Sequence, residues 1–159
     1  MQMLLADSCF NITHDSFMND LDETLQRAEN HKIKYFFAPA SKESEIENLL
    51  HYCKVYEDKV YCSIGIHPHH ASELKPDTIA NLKPHLDSKY VRSIGEVGLD
   101  YFRNFQSPQI QIKCFETFVE LAIQENYPLF LHHREAFNDF YPIVKLSLIH
   151  ISEPTRLAW

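Results

Sequence analysis

The sequence predicts an α/β fold: about five parallel βα units forming an incomplete TIM (β/α) barrel. Five apolar runs end at Asp7, near Pro39, at Gly65, at Glu96 and at His132. Their spacing of 26 to 36 residues is the pitch of a strand followed by a helix. Four of these ends carry Asp, His or Glu, and in such a barrel every strand C-terminus opens on one face, where distant residues converge. The chain has 159 residues, whereas closing eight strands takes ~250. The sheet therefore stays open, or the chain is incomplete.

Each element has its own signal. Met3–Asp7 reads as the first strand. Asp15 and Met18, followed by Leu21, Leu25 and Ala28, give an amphipathic helix with acidic residues in its first turns. Ile33–Ala38 is the second strand, bounded by Pro39. Ser41 is a helix N-cap candidate ahead of the stripe Ile46, Leu49, Leu50 and Cys53. Val60–Ile64 is the third strand, and Asp77–Leu86 a short helix after Pro76. Tyr90–Ile94 is the fourth strand. Ser107 caps a long helix running to about Asn126, with Pro108 at its first position, where the missing N–H costs nothing. Pro128–Leu131 is the fifth strand, and Arg134–Lys145 begins a last helix. The sheet edge left open after the fifth strand is an association hazard.

Composition bounds the function. Apolar residues make up 45% of the chain, enough to bury one core, and the net charge of −7 argues against a basic nucleic-acid footprint. It does not exclude a nuclease, because bound divalent metal can supply positive charge at a phosphate. Cys9, Cys53, Cys62 and Cys114 show no Cys-x-x-Cys pairing and suit a reducing compartment. No secretory signal precedes the first strand, and no apolar run reaches the ~18 residues of a membrane span. The expectation is a cytoplasmic protein with neither a membrane nor an obligate protein partner.

Leu146 through Arg156 matches, residue for residue, the translation of a transposase-type sequencing adapter, and Leu157-Ala158-Trp159 reads as foreign too. The expected division is therefore 1–145 as the N-terminal part of the barrel and 146–159 as an adapter-derived tail. On this reading the natural gene continues past Lys145.

Gly95-Glu96-Val97-Gly98-Leu99-Asp100 holds two of the chain's three glycines around a carboxylate. Glu96 is a candidate metal-bridging group; the structural alternative is a solvated acid or a partner for Arg103. Asp100 either orients a ligand, serves as a base, or is a turn carboxylate. His67-Pro68-His69-His70 is a dense histidine cluster in which Pro68 biases His67 toward extended geometry. His67 and His69 form a candidate phosphate-binding or proton-transfer pair, or an exposed polar loop. In His132-His133-Arg134, period-two geometry sends His132 and Arg134 to one face and His133 to the other. Imidazole ligates divalent metals, and a guanidinium grips phosphate in a bidentate way. Asp7-x-Cys9-x-Asn11 shares one face if the strand persists, but Cys and Asn are poor ligands for a hard cation; Cys9 more simply reads as a buried small apolar residue.

These motifs resemble the TatD family of metal-dependent deoxyribonucleases. The resemblance covers Leu4 to about Lys145. It rests on Gly65-Ile66-His67-Pro68-His69, Gly95 to Tyr101, Arg103-Asn104 with Pro108 beyond, and Pro128-Leu129-Phe130-Leu131-His132-His133-Arg134-Glu135-Ala136. It implies a metal-dependent hydrolase barrel acting as a 3′→5′ exodeoxyribonuclease on single-stranded DNA or frayed 3′ ends. It implies a divalent cofactor, Mg²⁺ first, with Mn²⁺ or Zn²⁺ as alternatives. By the same resemblance Glu96 and His132 hold metal, and Glu96, Asp100 and His67 are catalytic. His69, Arg103 and Arg134 bind substrate. The chain departs from the family's Asp-x-His-x-His strand: it has Asp7-Ser8-Cys9-Phe10-Asn11, like the subgroup typified by TatD itself. Two imidazoles are then absent from the first metal site. The family's later histidine and its Asp before a Pro would lie beyond Lys145, which implies weak or no activity for the chain as it stands. The competing readings are a metal-dependent hydrolase of small esters or amides, and a non-catalytic binding remnant.

Overall fold

The computed structural model describes the backbone of residues 4–152 and the side chains of residues 4–145. Five strands form one sheet whose order follows the sequence: β1 (Leu5–Asp7), β2 (Ile33–Pro39), β3 (Val60–Ile64), β4 (Val91–Asp100) and β5 (Leu129–Arg134). Every neighbouring pair is parallel. The crossovers carry α1 (Leu21–Asn30), α2 (Ile46–Val55), α3 (Thr78–Leu86) and α4 (Pro108–Glu125), and α5 (Phe137–Ser152) follows β5. The result is a curled half-barrel. The curl is tight enough that the Phe37 ring on β2 meets the Phe130 ring on β5 at 5.2 Å, with two strands between them.

The largest buried side chains come from strands and helices alike: Ile64 and Ile94 from the sheet, Leu49 and Leu82 from α2 and α3, Phe115, Phe118 and Leu121 from α4. Removing a Phe side chain from water is worth ~1.5–3 kcal/mol, so α4 is a principal anchor of the sheet. Asn126, left-handed at φ 54°, ends α4 where the sequence predicts. No described helix is long and apolar enough to cross a membrane.

Two strands outrun the apolar pattern. β4 continues from Ile94 to Asp100, and β5 from Leu131 to Arg134. The cause is a close approach. Gly95 (φ 151°) and Gly98 (φ 149°) occupy backbone that side chains rarely adopt. A Cβ on Gly95 would collide with the Phe130 carbonyl, and one on Gly98 with that of His132. The register slips between Ile94 and Val97, then resumes with Gly98 opposite His132 and Asp100 opposite Arg134. Glu96 thus lies inside a strand, at an irregularity, rather than at its end.

Helix starts also differ. His14 Nδ1 accepts the Ser16 amide proton at 3.2 Å and closes a separate 3₁₀ turn, Asp15–Phe17, so α1 starts at Leu21. Glu45 accepts the Ser41 amide proton at 3.1 Å around a second such turn, and α2 starts at Ile46. Ser107 occupies the N-cap of α4, but its carbonyl rather than its hydroxyl takes the amide protons of Ile110 and Gln111. α5 starts at Phe137 because β5 retains Arg134, and it runs on past Lys145. Met3 and the end of the expected tail, 153–159, lie outside the described residues, as do the side chains from 146 onward.

Candidate active site

Three consecutive strands deliver one cluster. The segment after β3 carries His67, extended at φ −61° and ψ 145° as Pro68 requires, then a 3₁₀ turn (Pro68–Glu73) that brings in His69. β4 contributes Glu96 and Asp100, and β5 contributes His132. One donor atom each from His67, Glu96 and His132 lies within 4.8 Å of the others, the spacing of a metal-binding group. His132 Nδ1 stands 3.0 Å from Glu96 Oε1 and 3.2 Å from His67 Nε2. On its other side His132 Nε2 meets Asp100 Oδ2 at 3.1 Å, and His69 Nε2 meets the same oxygen at 2.9 Å.

The hydrogen-bond pattern assigns the protons. The His69 amide donates to His67 Nδ1 at 3.2 Å, so a neutral His67 carries its proton on Nε2. An ionised Asp100 only accepts, so His132 donates from Nε2. What remains is His132 Nδ1, which lies 3.0 Å from the Glu96 carboxylate and 3.2 Å from the proton-bearing His67 Nε2. With Nδ1 unprotonated, it and the carboxylate are facing acceptors that repel unless a cation lies between them. A proton on Nδ1 satisfies them, but it then confronts the His67 Nε2 proton across 3.2 Å. A divalent ion held by Nδ1 and Oε1 needs no proton there, so the donor set fits a metal.

The electrostatics of the metal-free cluster describe the proton-filled alternative, with His132 Nδ1 donating to Glu96. Burial, aided by the neighbouring His132 and His69 and opposed by Glu96, drops His67 to about 4, leaving it neutral at physiological pH. The hydrogen bond to Glu96 leads in raising His132, against desolvation. Burial would raise Glu96, but the His132 hydrogen bond and the nearby imidazoles outweigh it and hold Glu96 below the usual carboxylate range. Burial likewise opposes ionisation of Asp100, yet the Arg103 amide, His69 and His132 bring it down to about 2.

Asp100 is held firmly. It is 1% exposed. Its Oδ1 accepts the Arg103 amide proton at 2.8 Å, and its backbone N–H and C=O both bond the Gln111 side chain, at 2.8 and 3.1 Å. Gln111 Nε2 also donates to the Gln106 carbonyl at 2.8 Å, and Gln106 Nε2 to the His69 carbonyl at 3.1 Å. Neither glutamine stands out in sequence reasoning. The available signal is Gln111 itself, a polar residue four positions before the buried Phe115.

The remaining candidates separate. The Arg134 guanidinium lies over the Phe102 ring at 3.7 Å, while His133 turns away to pack on Phe140 at 4.9 Å. Arg103 brings its amide to the cluster and leaves its side chain exposed. His70 pairs with Glu73 at 3.1 Å. β1 stops at Asp7, which accepts the Cys9 amide proton at 3.0 Å, so Asp7, Cys9 and Asn11 do not continue as one strand. Cys9 is exposed, not buried as expected, because β1 ends before it. Partial burial and then the charges of Glu96 and Asp7 raise its thiol pKa.

Residues 6–149 match the family model described as TatD related DNase. Among curated relatives, the 3′-5′ ssDNA/RNA exonuclease TatD of Erwinia amylovora is 35% identical over 141 residues, covering 89% of this chain and 54% of that protein. The protein of the same name from Pantoea ananatis is 31% identical, covering 96% and 61%. The chain spans little more than half the length of the curated relatives it matches. Among solved structures, a TatD-family hydrolase from Entamoeba histolytica superimposes with a TM-score of 0.80 at 24% identity, covering 92% of this chain and 55% of that one. A Saccharomyces cerevisiae protein titled an uncharacterized amidohydrolase gives 0.77 at 25% identity, covering 90% and 51%.

Proposed function

The chain belongs to the TatD-related DNase family, and from that premise we propose that its strand-end cluster is part of the metal centre of a phosphodiesterase that trims single-stranded DNA from the 3′ end. The observation that carries this reading is the convergence of one ligand atom each from His67, Glu96 and His132 within 4.8 Å. Glu96 and His132 would hold the metal, Mg²⁺ first, with Mn²⁺ or Zn²⁺ compatible with the imidazole donor. When bound, a divalent ion polarises a phosphoryl oxygen and acidifies water.

The chain's own groups do the rest. His67, with its proton on Nε2, donates to a non-bridging phosphate oxygen. Asp100 accepts from His69 and His132 at once and so fixes both rings and the lone pair that His132 presents. Arg134, Arg103 and His69 stand on the substrate side and meet phosphates or hold the loop that does. Relatives of this chain are named ssDNA/RNA exonucleases, which supports a single-stranded substrate with little base readout. Four free cysteines fit a cytoplasmic setting. Residues 1–145 are read as the part of the barrel present and 146–159 as the foreign tail.

The test follows a 5′-labelled single-stranded oligonucleotide, using a chain extended through the natural reading frame. Shortening from the 3′ end that needs Mg²⁺ and disappears with EDTA or Glu96→Gln is the expected result. Unchanged turnover in Glu96→Gln overturns the assignment. Turnover of small esters or amides with DNA left intact favours the competing hydrolase reading.

A further inference from the structure

The loop 101–107 between β4 and α4 presents Phe102 and Phe105 to solvent, 52% and 61% exposed. Neither is loose. The loop is tied at one end by the Arg103 amide on Asp100 (2.8 Å) and at the other by Gln106 on the His69 carbonyl (3.1 Å). Asn104, left-handed at φ 49°, turns the chain between the two rings. Phe105 meets His69 edge-on at 4.7 Å, and Phe102 carries the Arg134 guanidinium at 3.7 Å. Both partners return to one residue: His69 bonds Asp100, and Arg134 lies opposite Asp100 in the β4–β5 register. Two rings that stay more than half exposed on a pinned loop, beside a partly buried polar cluster, leave apolar faces open to a ligand.

We propose that Phe105 is a stacking platform for an unpaired base of the bound strand, and that Phe102 holds Arg134 in place against the adjoining phosphate. This rests on the phosphodiesterase reading above. The chain's charge of −7 makes the case stronger, because general electrostatic attraction to a polyanion is absent. An aromatic face grips any base by stacking, whatever the charge and with little regard to sequence. Because the loop is already tied, little freedom is lost on binding.

The test measures binding by fluorescence anisotropy in Mg²⁺, with phosphorothioate 3′ linkages that resist turnover. Two 5′-labelled strands are compared, one with ordinary bases and one with abasic units at its last two 3′ positions. The parent is expected to bind the base-bearing strand roughly 5- to 150-fold more tightly, the range of one stacked base. Phe105→Ala should erase that difference while leaving abasic binding unchanged, and Phe105→Trp should restore it. Phe102→Ala should weaken both strands alike. Equal binding of the two strands by the parent, with Phe105→Ala indistinguishable from it, overturns the stacking role while leaving the phosphodiesterase reading intact. Failure of the parent to bind either strand removes that reading and the inference together.

Discussion

The two ends of the sheet are built differently. At the β4–β5 end the strands run ten and six residues, press together across two glycines and carry three members of the cluster: Glu96, Asp100 and His132. At the β1 end the strand has three residues, Leu4 and Leu5 are exposed, and Asp7 bonds its own neighbour Cys9. Strand-on-strand contact and polar convergence coincide at the β4–β5 end, whereas at the β1 end packing passes to Phe10 and Ile12 beyond the strand. A site whose donors must meet within a few ångströms requires backbone that cannot drift, and the glycines supply it by permitting strand contact that any side chain would forbid.

The sharpest way to break this comparison is Gly98→Ala. A Cβ there meets the His132 carbonyl, so urea denaturation should show a loss of ~3 kcal/mol or more, with metal affinity lost as well. A loss under ~1 kcal/mol would mean the strands do not depend on that contact. The next effect is acid sensitivity of the metal-free protein. Asp100 is held at about 2 against an ordinary value of ~3.9. A depressed carboxylate pKa stabilises the fold above the unfolded value, and that contribution fades as pH falls through the folded one. Roughly 2–3 kcal/mol should therefore disappear between about pH 4 and pH 2, and Asp100→Asn should flatten that limb of a stability–pH curve.

Smaller again is the effect of Asp100→Asn on metal affinity at neutral pH. The residue fixes His132 without itself facing Glu96, so titration calorimetry should give a loss of about 10- to 100-fold. Asp7→Asn, at the other end, should leave affinity near the parental value. If Asp7→Asn proves the more damaging, the centre lies closer to β1 than the cluster indicates. The smallest effect belongs to the exposed edge: Leu5→Thr should change stability by no more than ~0.5 kcal/mol, read from the thermal midpoint. A large loss there would show the two ends to be coupled.

Much of this was legible in the residues. The strand–helix pitch gave the five units, and Glu96, His67, His69, Asp100 and His132 all reach one cluster. Strand ends were harder. Gly95 and Gly98 look like breakers in a sequence, and only the facing carbonyls of Phe130 and His132 show them as points of contact. Cys9 misled for a related reason, since alternation suggests a continuing strand and cannot tell that β1 stops after three residues. Gln106 and Gln111 escaped notice because they act on backbone atoms whose positions the tertiary fold decides. Phe105 carries no signal in the sequence, because only the fold brings its ring within 4.7 Å of His69.

The contact between Phe37 and Phe130 reaches beyond packing. Gly95 leaves room for Phe130 on the neighbouring strand, and Phe130 then reaches the second strand, so the sheet has its curvature by the time the fifth strand is laid down. In relatives of which this chain covers only 54%, the same arrangement would give strands emerging later from the ribosome a bowed template with a fixed radius, and order of synthesis would become order of assembly.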